Sequence, residues 1–409
     1  MNETIAPATP RRATVAFIFV TIVLDVLAIG VIIPVLPILV EDFMGGDTAS
    51  AARMFGLFGT VWALMQFVCS PILGSLSDRF GRRPVILASN FGLGFDYILM
   101  ALAPTISWLF VGRVISGITG ASFTTAGAYI ADVTPPEKRA ASYGMMGAAW
   151  GLGFVLGPAL GGLLGGIDPR LPFWVAAALT LLNALYGIFV LPESLPADRR
   201  ASFSWQRANP VGALRLLRSH PQLLGLASVS SIYFLAHHVL PSVFVLYASY
   251  RYGWSERTVG LTLAGVGVCN TAVQAGLVRP IVARFGERRA LLTGLLAGTI
   301  GFLWYGSAAT GARFLIAVPV FAFMGLFGPA AQGLMTALVK PTEQGQLQGA
   351  NSSLIGITGM IGPGLFSLTF ATFIGTRAHL HLPGAPFLLA ALLLAIAAAL
   401  ALRVTRQAV

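Results

Sequence analysis

Apolar residues run along this 409-residue chain in long stretches, without the alternating or one-sided patterns of a water-soluble fold. Twelve stretches reach the roughly 20 residues that a helix needs to cross a bilayer. They fall near 13–40, 52–76, 84–103, 106–131, 139–166, 171–192, 222–250, 257–282, 290–310, 312–339, 345–374 and 384–403. In lipid every backbone N–H and C=O must be satisfied within its own segment, so each stretch is predicted to be a helix. Their length and lack of alternation argue against a β-barrel. Arg11 and Arg12 precede the first stretch and no small-residue cleavage site follows, so it is expected to be a retained helix and not a signal peptide. The expected fold is an all-α polytopic membrane protein.

The two halves share a register. SDRFGRRPVIL (77–87) resembles VARFGERRALL (282–292), which sets Phe80 and Phe285 205 positions apart. Gly144 and Gly349, Pro136 and Pro341, and the pairs Gly157-Pro158 and Gly362-Pro363 keep that spacing. A single ungapped offset predicts two six-helix bundles related by an axis along the membrane normal. The expected organisation is a first bundle over 1–192, a linker over 193–221 and a second bundle over 222–409. The linker holds five arginines, and 210–218 is suited to a short amphipathic helix on the inner surface. Parallel repeats of this kind place a substrate site between the halves near the midplane, with the halves rocking about it.

Composition sharpens the class. Hydrophobic residues make up 56% of the chain and charged ones 10%, against about 25% charged in a soluble domain. The net charge of +11 does not point to nucleic acid, because the basic residues sit in small clusters between apolar runs. With both termini inside, nineteen of the 26 basic residues fall in inner segments and six in outer ones. That bias orients the chain with cytoplasmic termini, as a multi-pass protein of a bacterial inner membrane. Cys69 and Cys269 imply no disulfide framework. No nucleophile–base set, metal-ligand cluster or phosphate loop is visible, so neither an enzyme nor a metal site is expected.

Three charges fall deep within spans: Asp25 in the first, Asp96 in the third and Arg113 in the fourth. Each aspartate lies 12 positions from the inner end of its helix, or ~18 Å at 1.5 Å per residue. A charge at that depth costs at least about 2.5–3.5 kcal/mol, so it persists where it is paired or faces a watery cavity. Two carboxylates and one guanidinium leave one negative charge over. Protons and a cationic substrate would compete for it, which is the thermodynamic basis of antiport. A static pair between Arg113 and one aspartate is the alternative. The second bundle has no acid at depth. Adjacent His237 and His238 point to different faces, so one of them at most is expected at the cavity, while Asn270, Gln274 and Gln332 offer uncharged hydrogen bonds there.

Two motifs carry mechanics. GSLSDRFGRRP (74–84) joins the second and third spans on the inner side. Gly74 permits close approach of the helices, and Gly81 belongs to the same gating motif. Asp78 at a helix end is expected to be held by Arg79, Arg82 and Arg83, with Asp132 and Arg139 joining the network. Such a clamp favours one global state and is expected to break when the inner gate opens. In the fifth span, Gly153, Gly157, Pro158, Gly161 and Gly162 predict a bent helix packed tightly between the bundles.

GSLSDRFGRRP is similar to the loop motif of the major facilitator superfamily, and GFVLGPALGG (153–162) to its helix-5 antiporter motif. LDVLAIGVIIPVLP (24–37) resembles the helix-1 motif of its drug:proton antiporters. With GRVISGITGASFTTAGAYIAD, ARFGERRALLTG and QGQLQGANSS, the chain resembles the tetracycline efflux proteins. That resemblance implies that Asp25, Asp78, Asp96, Arg113 and Asp132 match charges needed for transport, and that Gln274 falls at a substrate-contacting glutamine. It also marks two departures: Gly298 stands where the family has a helix-9 aspartate, and Asn270 where it has a helix-8 histidine. Proton exchange is then left to Asp25 and Asp96. The resemblance implies a monomeric proton-coupled exporter of small amphipathic drugs, working by alternating access. It needs no cofactor beyond the proton gradient, and the substrate arrives free or as a divalent metal chelate. A transporter of an endogenous metabolite, coupled or facilitative, is the rival reading.

Overall fold

The computed structural model describes residues 15–408 except 121, 136–137, 204–211, 219–220 and 341–342. Arg11, Arg12, Pro136, Arg207, Pro210, Pro341 and the side chain of Arg139 lie outside the described residues. The described residues are overwhelmingly helical and include no strand.

Among the described residues, eleven helices are long and apolar enough to cross a membrane. We number the crossing segments α1 (Val15–Phe43), α2 (Thr48–Phe80), α3 (Arg82–Ala101), α4 (Ile106–Val133), α5 (Arg139–Gly165), α6 (Leu171–Phe189) and α7 (Pro221–Tyr252). The next, Glu256–Ser307, is 52 residues long. Straight, it would measure about 78 Å, far more than a hydrocarbon core of about 30 Å. It is two helices. Gly286 sits at φ 79°, ψ 162°, a conformation that only glycine adopts without strain. The elbow divides α8 (256–285) from α9 (287–307). Gly81, 205 residues earlier, turns the chain between α2 and α3 at φ 106°, ψ 158°. The repeat therefore extends to the backbone angles of its elbows. α10 (Gly311–Ala337), α11 (Gln344–Ile374) and α12 (Ala385–Val404) complete twelve segments. Pro34 interrupts α1 at the turn before Leu36, by removing a backbone donor.

The same pairings recur in both halves: α3 with α6 and α9 with α12, α1 with α6 and α7 with α12. Contacts between the halves run through α2 with α11 and α5 with α8. The linker enters a 3-10 helix, Gly212–Arg218, whose Leu216 and Leu217 are buried against the starts of α7 and α11. Of the stretch 210–218 expected to form an amphipathic helix, only 212–218 lies among the described residues. Residues 190–203 and 212–218 mark the linker face, and the opposite one is the far face.

The two interiors differ in chemistry. The last six helices enclose an aromatic core. Tyr305 stacks on Phe314 at 4.1 Å between ring centroids, and Tyr247 donates its hydroxyl to the Tyr305 carbonyl at 3.1 Å. The first six enclose polar atoms without protein partners, on Thr21, Asn90, Asp96, Arg113, Thr125, Thr180 and Asn183. Among the described residues, Asn351 alone adds to that set from the second half.

Candidate functional site

The expected acids are in the first bundle, but not on the wall between bundles. Asp25 is only 4% exposed and Asp96 1%. The resemblance to the tetracycline efflux proteins implies that both belong to the central cavity, whereas in the structure both side chains are buried within the first bundle. α1 turns Asp25 toward α6, where Asn183 donates from Nδ2 to its Oδ1 at 2.8 Å and to the Thr21 carbonyl at 3.0 Å. α3 turns Asp96 toward Gly112 of α4, and a Cβ there would lie 2.9 Å from Asp96 Oδ1. Neither oxygen of Asp96 has a hydrogen-bond partner. Arg113, one position on, sends Nη2 to the Met100 sulfur at 3.5 Å and leaves Nε unpartnered. It forms no ion pair with either aspartate among the described residues, so the static-pair alternative is not realised. Buried Tyr97 lies within electrostatic reach of Asp25, Asp96 and Arg113, which brings the four into one neighbourhood. Asn183 was missed from sequence. The signal was an amide inside the apolar run LLNALYG.

The opening between the halves can be read from the glycines. Toward the far face they are crowded: a Cβ on Gly59 would lie 2.7 Å from Pro363, and one on Gly260 2.8 Å from the Cα of Gly162. At mid-depth Gly267 still touches Val155, and Gly151 touches Thr271 at 3.3 Å. Toward the linker face Gly74, Gly144, Gly147, Gly276 and Gly345 have nothing within 4 Å. The glycine contacts between the halves therefore run from mid-depth to the far face. Gly74, expected to let helices approach closely, adjoins open space here.

The second bundle's candidates separate. Asn270 and Gln274 approach the same point on α10, since a Cβ on Gly325 would lie 3.2 Å from Asn270 Oδ1 and 3.6 Å from Gln274 Nε2. Gln274 is exposed within a π-helical turn, Val273–Leu277, that no sequence pattern announced. Such turns are frequent at functional sites. His237 is exposed and stacks 6.2 Å from Tyr233, which lies flat on Phe327 of α10 at 3.8 Å. His238 turns away against Gly362 of α11. Gln332 accepts from Asn351 at 2.9 Å and donates to Thr336 at 3.2 Å, so it is engaged in fastening α10 to α11.

On the linker face, Arg82 contacts Asp78 at 2.5 Å, Asp132 at 3.0 Å and Ser77 Oγ at 2.7 Å. Arg83 donates to the carbonyls of Gly187 and Ile188, while Arg79 lies over the Phe80 ring at 5.1 Å. The network also uses Glu193, which the sequence analysis left in the linker. Its carboxylate accepts the backbone N–H groups of Arg82 (2.9 Å) and Arg83 (3.2 Å), at the positive end of α3, and those of Ser194 and Leu195. Ser194 Oγ donates to Asp132, and the Ala201 N–H to the Asp78 carbonyl. The clamp was expected to break on opening. Both of its ion pairs lie inside the first bundle, so separating the two halves does not by itself break them.

Within α5 the glycines divide between two neighbours. Gly153 meets Val26, Gly157 sits 2.6 Å from the Cα of Gly30 by its would-be Cβ, and Gly161 meets the Val31 carbonyl, all on α1. Gly162 and the Pro158 carbonyl meet Gly260 of α8 instead. Only this second face packs between bundles. Pro363, the repeat partner of Pro158, does the same against Gly56 and Gly59 of α2.

Gly298, at the departure in helix 9, is buried against Leu394 and Met324, 2.7 and 3.0 Å from a would-be Cβ. A carboxylate there has no polar partner among these neighbours. Gly298→Asp is therefore expected to destabilise the protein by at least about 2.5–3.5 kcal/mol, read as a lower melting temperature in detergent, and not to strengthen proton coupling.

Residues 18–327 match the sequence profile of the Major Facilitator Superfamily. The chain is 39% identical to the class C tetracycline resistance protein of Escherichia coli, over 87% of this chain and 89% of that protein. It is 35% identical to the class G protein of Vibrio anguillarum, over 89% and 92% respectively. Among solved structures it is similar to a bacterial homologue of the human lysosomal transporter Spinster, in an inward-facing, unoccupied conformation. That match has a TM-score of 0.74 and 19% identity, over 96% of each chain. The chain belongs to the major facilitator superfamily and, within it, to the family of the tetracycline resistance proteins.

Proposed function

We propose that the chain exports tetracycline-like amphipathic drugs in exchange for protons, by alternating access. The observation that carries the reading is the pair of buried carboxylates in the first bundle of a chain so similar to the tetracycline resistance proteins. The open linker face is read as cytoplasmic, following the excess of basic residues in its segments. Drug then enters from inside and meets Asn270, Gln274 and His237 on the second-bundle wall. Because Asp25 and Asp96 lie behind the wall, their protonation acts on drug affinity through the packing of α1, α3, α4 and α6. A proton drives the cycle only by binding the two global states differently. The site requires no cofactor, the working unit is a monomer, and a divalent metal enters only as part of the drug chelate. No catalytic step is assigned.

A second reading, transport of an endogenous metabolite, draws on Gly298 and Asn270 at the two departures. It also draws on the 27% identity to a human hippocampus abundant transcript-like protein over 93% of this chain. A drug-susceptibility panel in a host without its own pumps separates the two. The chain is expected to raise tetracycline resistance and its Asp25→Asn form to lose it. No change in resistance, with tetracycline failing to alter proton flux in energised vesicles, rejects the drug reading.

A further inference from the structure

The elbow at Gly286 repeats the elbow at Gly81 without its acids. In the first bundle Asp78, Asp132 and Glu193 neutralise Arg82 and cap the α3 N-terminus. The positions 205 residues on are Ala283, Ala337 and Ala398. Arg79 and Arg83 recur as Arg284 and Arg288, whereas Arg82 is replaced by Glu287, the sole nearby acid in the sequence, and Arg279 and Arg289 are added where the first elbow has Gly74 and Pro84. Glu287 turns inward onto Gly333 of α10, and Arg288 donates to Thr405 at 3.0 Å. Arg284 lies over the Phe285 ring at 5.7 Å. Arg284 and Arg289 are exposed and form no ion pair among the described residues.

Arg289 also forms the head of a cleft of about 330 Å³, completed by Ile281, Phe285, Leu292, Thr293 and Leu296. The cleft descends α9 by ~10 Å from Arg289 to Leu296. Exposed Ile300 and Leu303 continue the stripe at helical spacing. A guanidinium at the membrane surface, a hydroxyl one turn below it and an apolar track beneath match, in order, the phosphate, ester and acyl chain of a phospholipid. The unmatched positive charge selects an anionic one.

We infer that the α8–α9 elbow is a binding site for an anionic phospholipid, its phosphate held by Arg289 and Arg284 and one acyl chain lying along Leu292 and Leu296. The site lies on the outer flank of the second bundle, and its occupancy does not depend on what the protein transports.

The test titrates phosphatidylglycerol, phosphatidylcholine and inorganic phosphate into the purified full-length protein in detergent, with bound lipid read by native mass spectrometry. Phosphatidylglycerol is expected to bind tighter than phosphatidylcholine. Each of Arg284→Gln and Arg289→Gln should weaken it about fivefold, the attraction of one basic side chain for an anionic surface. Arg289→Lys should retain most of the preference, and Leu296→Gln should weaken both lipids alike. Equal affinity for the two lipids, or an undiminished preference in the double Gln variant, overturns the site. Inorganic phosphate competing as well as the lipid overturns the lipid assignment and leaves a free-phosphate site. Both arginines are exposed, so folding is not at stake in their substitution.

Discussion

Asp96→Asn is expected to abolish proton-driven export while leaving the protein folded and able to exchange drug for drug. Asp96 is buried and neither of its oxygens is bonded to another protein group. The amide has nearly the same shape, so it fits the space against Gly112 and Met100 and breaks no hydrogen bond. What disappears is a group that can take up and release a proton. In vesicles, accumulation against a gradient should fall to the level seen with an uncoupler, whereas counterflow, which moves no net protons, should persist. Asp25→Asn should give the same transport phenotype, with Asn183 still donating to the substituted side chain. Concentrative transport by Asp96→Asn at the wild-type level would remove Asp96 from the coupling. Loss of counterflow together with a lowered melting temperature would make its role structural instead.

The different fates of these residues show what sequence could resolve. Lipid forces an apolar residue at almost every position of a span, so the spans were legible to within a few residues. For the same reason the spans carried little information about which face of a helix turns where. The position of Asp25 and Asp96 along their helices follows from counting residues. Their direction does not, because each residue rotates the helix by about 100° and only a neighbour fixes the outcome. For Asp25 that neighbour is Asn183, 158 positions away in the chain. Glu193 was overlooked for a related reason. It sits just past the end of α6, in a stretch that reads as loop, and its role exists only because the α3 N-terminus comes to it. The break between α8 and α9 rests on one backbone conformation, at Gly286, and was legible through its repeat partner Gly81.

The glycines of α5 set up the largest structural effect. Gly157→Val is expected to prevent α1 and α5 from docking. Gly157 and Gly30 face each other so closely that a Cβ on either falls less than 3 Å from the other's Cα, where real Cβ atoms essentially never approach. The obstacle is backbone on both sides, so no rotamer change relieves it. Overpacking a core with a few methylenes typically costs about 1–3 kcal/mol, and here the helices themselves must separate. α1 carries Asp25, so its displacement would also pull the carboxylate from Asn183. The expected result is little monodisperse protein on size-exclusion chromatography, with no proton-coupled or exchange transport in what remains. Gly144→Val lies on the same helix toward the linker face, where nothing lies within 4 Å, and supplies the contrast. It should fold like the wild type in the open state. If alternating access brings the halves together on that face, it should then slow their closure and with it every mode of transport that requires the outward state. Equal yields of the two variants would show that the α1–α5 contact is looser than the geometry states.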